Sequence, residues 1–402
     1  MHAPRAAHPS WRMITLLGAM TAFGAISIDM YLPAMPEIGR SLDASAGDVQ
    51  RSLSSLLAGL AIGQFIYGPM SDRIGRRPPI LGGILLYIVA SAVCALSSTI
   101  EVLIAARFVQ GLGACAALVV SRAFVRDSYD HQETARILSL IMLVFGVVPI
   151  IAPLIGGLVL TFGDWHTIFW LLTGFGVIVW AAVFFGLPES RSPETAAKAR
   201  SETPARAYWE LLKSRVLLGY ILSGALNGAC LFTYIAASPD LLIGTYGVPA
   251  AHFGWIFGIN AIGMVIGSQV NRHLLLTHST DRVAAVATLL ALLWGVAMIV
   301  AAKTGIGGMW GVLVPLFLIM STYGFMASNT TAGALSADPH RAGSISGLAG
   351  VLGFSFGAAA SASMGFFYDG TALPMATSMT AALAASALAL FLLALRGRAR
   401  PV

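Results

Sequence analysis

Long apolar runs recur from one end of this chain to the other, and they restrict its fold more than any other feature. A helix that crosses a bilayer needs about 20 mostly apolar residues. Twelve such runs can be read off, at 13–36, 50–70, 79–98, 101–124, 136–160, 165–187, 215–238, 251–271, 282–302, 307–333, 343–367 and 371–395. Glycine, serine and threonine dilute the tenth and eleventh, as is common where spanning helices pack closely. The expected class is an all-α membrane protein of twelve transmembrane helices. Composition agrees: 57% of residues are hydrophobic and only 10% are charged, too few to cover a soluble domain of 402 residues.

The net charge of +6 is not a nucleic-acid signal, because no basic stripe with interleaved aromatics exists and the arginines fall between apolar runs. Cys94, Cys115 and Cys230 lie inside those runs with no C-x-x-C spacing. They read as packing residues, not as a disulfide framework or metal site. Residues 1–12 carry Arg5 and Arg12, but the run behind them is too long for a cleavable signal, so it is read as a retained first span.

Charge placement then orients the chain. With a cytoplasmic amino terminus, the even-numbered connections are cytoplasmic too. Of 24 basic residues, the opposite side holds only Arg40, Arg51 and Lys303, and Arg107 lies within a span. This bias is the positive-inside pattern, and it places both termini in the cytoplasm. The densest cluster is Gly68 to Pro79, where Asp72, Arg73, Arg76 and Arg77 crowd between the second and third runs and are expected in water.

Pro188 to Ser214 is the longest polar connection and reads as a cytoplasmic linker. Within it, Tyr208 to Leu212 reads either as a short amphipathic helix or as solvated chain. The expected domains are a six-helix bundle at 1–187, the linker at 188–214, and a second bundle at 215–402. A weak repeat supports this, since Gly68-x-x-x-Asp72-Arg73 is echoed by Gly267-x-x-x-Asn271-Arg272. Related halves point to a transporter with its site near the midplane between them.

Two charges stand deep inside predicted spans, away from their ends: Asp29 in the first and Arg107 in the fourth. Such a residue costs roughly 2.5–3.5 kcal/mol on insertion scales and is a functional candidate by default. At about 1.5 Å per residue both lie roughly 10 Å below the outer surface, so a direct or water-bridged pair is expected. Asp29 can exchange a proton, whereas Arg107 keeps its own and can only tune a neighbour. The bland readings are that Asp29 pins the helix end near Pro33 and Pro36, and that Arg107 braces helix-end carbonyls.

Pro149 and Pro153, followed by Gly156 and Gly157, predict a bend and a close helix contact in the fifth run. In the second half, Asn227, Leu231 and Tyr234 share one helix face. So do Asn260, Met264 and Gly267, and likewise Thr322, Met326 and Asn329. A polar, methionine- and tyrosine-bearing face suits bulky ligands, though any one of these residues could equally serve interhelical hydrogen bonding. Gln110, one turn from Arg107, is expected at the same site. No G-x-x-x-x-G-K-[ST], H-E-x-x-H or G-x-S-x-G motif occurs, so neither ATP hydrolysis nor an enzyme is indicated.

Four stretches together resemble a known family. Gly68-Pro-Met-Ser-Asp72-Arg73-Ile-Gly75-Arg76-Arg77 resembles the loop motif of the major facilitator superfamily. Arg107-Phe-Val-Gln110-Gly111-Leu-Gly113-Ala114 resembles the fourth-helix motif of its drug/proton antiporters, and Pro149 to Gly157 their antiporter motif. Asp29-Met-Tyr31-Leu-Pro33-Ala-Met-Pro36 resembles the first-helix end of the Bcr/CflA subgroup, the bicyclomycin and chloramphenicol exporters.

The resemblance implies proton-driven export of small hydrophobic or amphipathic drugs across a bacterial inner membrane by alternating access, with no cofactor beyond the proton gradient, in a monomer. Asp29 and Arg107 would couple protons. Asp29, Tyr31 and Gln110 would meet substrate, and the polar faces of the second half add Asn227, Tyr234, Asn260 and Asn329 as candidates. Gly68, Asp72, Arg73, Gly75, Arg76, Arg77, Pro149, Pro153, Gly156 and Gly157 would govern gating. The sequence departs from the wider antiporter motif at Ala152, and Thr21 to Gly24 carries no second acid. The alternative on the same fold is an uptake symporter or facilitator for a metabolite.

Overall fold

A computed structural model describes residues 10–191, 209, 211–338 and 341–398. Among these residues there are helices and no strands. The twelve long helices are α1 (Trp11–Asp29), α2 (Ala46–Ile74), α3 (Arg77–Ala95), α4 (Ile100–Ser128), α5 (His131–Val159) and α6 (Trp165–Gly186). After the linker come α7 (Arg215–Pro239), α8 (Ala250–Leu274), α9 (Thr280–Thr304), α10 (Gly308–Ala337), α11 (Ala342–Phe367) and α12 (Leu373–Leu388). Eleven are long and apolar enough to cross a membrane; α5 contributes a shorter apolar stretch, Gly146–Val159, among its described residues.

Polar residues start several of these helices. The side chains of Ser45, Thr99, Asp130, Asp164, Ser214 and Ser279 each accept a backbone N–H of the first turn. This satisfies a donor that has no helical partner. Large apolar side chains such as Ile178 and Phe185 on α6, and Leu289 and Leu293 on α9, are exposed on the outer face. In a membrane these faces meet lipid.

The helix contacts repeat. In the first half α1 packs on α4, α5 and α6, while α4 also packs on α2 and α3, and α3 on α6. Adding six to each number gives the contacts of the second half: α7 on α10, α11 and α12, α10 on α8 and α9, and α9 on α12. Two main contacts join the halves, α2 with α11 and α5 with α8, and the same shift exchanges them. The weak sequence echo therefore sits on a full structural repeat.

Two expectations change. Gly68 to Ile74 is not a loop but the last turns of α2, with Pro69 inside the helix. Both prolines of α5 also lie within one continuous helix. A proline removes one backbone donor, and packing on neighbouring helices lets the helix continue past it. The seventh span does not end before Asp240, because a π-helical turn, Asp240–Thr245, carries it on. Of the amphipathic stretch proposed in the linker, Tyr208 and Glu210 lie outside the described residues, and Leu211 is buried against Leu217 and Tyr220.

Candidate functional site

A cavity of about 520 Å³ lies between the halves. It runs from Asp29, Tyr234 and Phe257 toward Tyr220, Leu335 and Ile345, at the end of the molecule that carries the α6–α7 connection. The other end is shut. There Ser54 donates to Ser361 at 3.0 Å from α2 to α11, and the Gly47 and Gly365 backbones touch. A Cβ added at Gly365 would lie 2.9 Å from the Gly47 carbonyl oxygen. Close by, Gly157 of α5 faces the Ala250 carbonyl at the start of α8. The cavity is thus accessible from one side only.

Asp29 sits where α1 ends. The chain continues as a 3₁₀ turn, Leu32–Ala34, and a short helix, Met35–Ser41, so helix one is broken just past the acid. Asp29 is 4% exposed and lines the cavity. Among the described residues no hydrogen bond or ion pair holds its carboxyl group. The surrounding wall is aromatic and aliphatic, with Tyr234, Tyr323, Phe232 and Phe354 nearby on the second half. A lone carboxyl in such a wall can hold either a proton or a cationic ligand.

Arg107 does not pair with Asp29 in this conformation. Its Nη1 donates to the Ser27 carbonyl at 3.0 Å and to Gln110 Oε1 at 2.7 Å. Its guanidinium lies over the Tyr31 ring at 4.3 Å and faces Phe169 at 5.6 Å. Gln110 passes the network on to Ser91 at 2.8 Å, and Tyr31 is held by Ser52 at 2.5 Å. Arg107, Gln110 and Tyr31 are fully buried inside the first half and do not line the cavity. Asp29 and Arg107 were expected level with each other and paired; instead Asp29 lines the cavity while Arg107 points into the first half, onto Ser27, Gln110 and Tyr31. Two donors of Arg107, Nε and Nη2, have no hydrogen-bond partner.

The second-half residues divide similarly. Leu231, Tyr234 and Met264 line the cavity. Asn260 reaches it through the Tyr234 hydroxyl, to which its Nδ2 donates at 3.0 Å. Asn227 is buried off the cavity with Nδ2 unpartnered. Asn329 instead forms an amide pair with Asn271, its Nδ2 donating at 2.8 Å. Thr322 and Met326 are buried without reaching the wall. Of the α5 residues, Pro149 lines the cavity, Gly156 meets the Met30 carbonyl and Pro33, and Pro153 is buried.

At the open end, Arg76 was expected in water and is instead wholly buried. Its Nε donates to Asp127 at 2.7 Å, and its Nη1 to Asp72 at 2.5 Å and Ser71 at 2.8 Å. Burial opposes its charge, but the two carboxylates outweigh this and push its pKa above the ordinary value. Gly75 adopts φ +108°, where a side chain is strained, and a Cβ there would also strike the Glu189 carboxylate. Glu189 accepts from the backbone N–H groups of Arg76, Arg77, Ser190 and Arg191. Burial works against its charge, yet these donors hold the carboxyl below its usual range. Arg191 then donates to the carbonyls of Asp72 and Arg73. Arg77 lies 5.5 Å over the Phe184 ring. The start of the linker is thereby pinned to the end of α2. Nothing in the composition signalled Glu189, and a Cβ added at Gly68 would meet open space.

The Major Facilitator Superfamily model matches residues 16–362. The chain is 37% identical over 382 residues to an uncharacterized MFS-type transporter, YdgK of Bacillus subtilis (94% of each chain). It is 32% identical over 383 residues to a bicyclomycin resistance protein homolog of Haemophilus influenzae (95% of this chain, 96% of that one). It is also 34% identical over 234 residues to the multidrug resistance protein MdtL of Escherichia coli (58% and 59%). Among solved structures, the partially occluded inward-open xylose transporter XylE of E. coli superposes with a TM-score of 0.74 at 11% identity, covering 94% of this chain and 96% of that one.

Proposed function

This chain belongs to the Major Facilitator Superfamily, and from that premise we propose that it is a proton-coupled antiporter exporting small hydrophobic or amphipathic drugs. The observation that carries the proposal is Asp29: a carboxyl group with no fixed partner, on the aromatic wall of a cavity closed at one end. Proton and drug compete for such a group, and competition at one site is sufficient for exchange. The relatives named for bicyclomycin and multidrug resistance support a drug cargo. The likeness to the xylose transporter speaks to fold alone and gives no direction.

The bias of basic residues supports an inner-membrane orientation with both termini cytoplasmic. In that orientation the cavity faces the cytoplasm and is ready to collect cargo. Arg107 takes a supporting role. Its spare donors, Nε and Nη2, are suited to a carboxylate once α1 turns in the outward-facing state. The units move as a six-helix bundle before the linker (1–187) and another after it (215–402), with Asp72 and Arg76 holding the ends of α2 and α4 together within the first bundle. One chain is sufficient for the cycle.

The test is efflux of ethidium from loaded cells of a pump-deleted strain. The protein should accelerate efflux, and collapse of the proton gradient or Asp29→Asn should abolish the gain. Efflux that persists under either condition would refute the antiport reading. Gradient-dependent accumulation of the dye would favour uptake instead.

A further inference from the structure

The closed end of the molecule contains a buried acid that no motif marked. Asp240 begins the π-helical turn after α7 and is 8% exposed. Across the contact between the halves, Gln50 of α2 is 0% exposed. Gln50 Nε2 lies 2.6 Å from Asp240 Oδ2. The other atom of that amide, Gln50 Oε1, is buried without a hydrogen-bond partner.

This geometry lacks one proton. An ionised Asp240 would be a buried charge with a single side-chain donor, while an amide oxygen beside it stays unpaired, and both conditions are costly. Protonation removes the buried charge: the acid's carbonyl oxygen accepts from Nε2, and its O–H adds the kind of donor that the unpaired Gln50 Oε1 lacks. Turning the Gln50 amide over does not avoid the need, because two oxygens would then stand 2.6 Å apart and would require a proton between them.

The surroundings supply water but no compensating ion pair. A cleft of about 330 Å³ reaches Asp240 from outside, with the exposed residues Arg40 and Asp43 among those lining it. Among the described residues, no cation lies within ion-pair distance of Asp240. The other titratable groups facing it are Tyr31 and Tyr368. Tyr368 donates to the Asp240 backbone carbonyl at 3.0 Å and leaves the carboxyl free.

We propose that Asp240 and Gln50 form a proton-operated lock on the outer seal: Asp240 takes a proton from external water as the halves close there, and returns it when they part. The step is a simple protonation, carboxylate plus a proton from water giving the acid. The sign follows from linkage. The closed seal binds the proton and the open, hydrated carboxylate releases it, so acid outside favours closure and rising pH favours opening. In the exporter proposed above, such a lock would return the emptied transporter to its inward-facing form. Only its place in the cycle rests on that reading; the lock itself does not.

The test measures the distance between spin labels at Ser98→Cys and Lys303→Cys, exposed positions on the outer ends of the two halves, with Cys94, Cys115 and Cys230 replaced by alanine. In the parent, the open-to-closed ratio should rise with pH by up to about tenfold per unit, the slope that one linked proton allows. Asp240→Asn supplies the missing donor permanently and should stay closed at every pH. Asp240→Ala should open more and also lose the slope. If neither variant is recovered folded, Gln50→Met should flatten the slope in the same way. A parent slope that is absent or reversed, or that survives Asp240→Asn or Gln50→Met, would overturn the lock. All labelled proteins, the parent included, carry Asp29→Asn, so proton binding at Asp29 adds no slope and failure of the export reading would not be mistaken for failure of this one.

Discussion

The two halves share their helix contacts and differ in how the matching helices are fastened at the open end. In the first half, buried Arg76 ties the end of α2 to α4 through Asp72 and Asp127. In the second, α8 and α10 are joined by the neutral pair of Asn271 and Asn329. Each half also has a close backbone crossing of the same kind. Gly59 meets the Phe108 carbonyl three residues before Gly111, and Gly111 meets the Leu56 carbonyl three residues before Gly59. Gly267 and Gly324 repeat this with Ser321 and Met264. The shared frame therefore needs close backbone crossings, while the ionic fastener is an addition to one half. A buried ion pair is expensive to break and neutral amides are not, so the first half is the one whose open end resists change.

That contrast can be broken at several points. The largest effect is expected from Asp29→Asn, because the second half offers the cavity no replacement acid; drug resistance should fall to that of the empty host while the purified protein keeps its melting temperature. Arg76→Ala strands Asp127 and should cost about 3–5 kcal/mol, visible as a lower melting temperature in detergent. Glu189→Gln weakens the linker's hold on the same cluster. Glu189 is exposed, so solvent screening limits its loss to about 1 kcal/mol. Since folding depresses its pKa, its contribution is full above about pH 4.3 and fades as pH falls through the lower folded value. The smallest effect belongs to Asn271→Ala, about 0.6 kcal/mol, the average for hydrogen bonds between membrane helices. If Asn271→Ala destabilised as much as Arg76→Ala, the contrast between the halves would be void.

Much of the fold was legible because a bilayer imposes length and charge rules on each span separately. The twelve runs needed no tertiary information. The site was legible in depth but not in azimuth. Counting residues put Asp29 and Arg107 level, yet only packing decides that Asp29 turns to the cavity while Arg107 turns to Tyr31 and Gln110. Small residues on every side of these helices erase the apolar stripe that would otherwise show direction. Asp240 was missed for a different reason. Pro239-Asp240 resembles a stop, and the π turn that carries the chain onward has no sequence signature; the apolar Leu241-Leu242-Ile243 behind it was the one available hint. Arg76 misled because buried arginines are rare, and its two carboxylate partners are 4 and 51 residues away.

The contact of Gly47 with Gly365 has an electrical consequence. A membrane potential acts on any charge able to cross, at about 2.3 kcal/mol per elementary charge per 100 mV. Side chains meeting at a seal leave gaps that fluctuate, and a file of water through such gaps would conduct protons. Two bare backbones in contact leave no such file. At this point the absence of side-chain atoms lets the two halves meet backbone to backbone, which leaves no room for a file of water between Gly47 and Gly365.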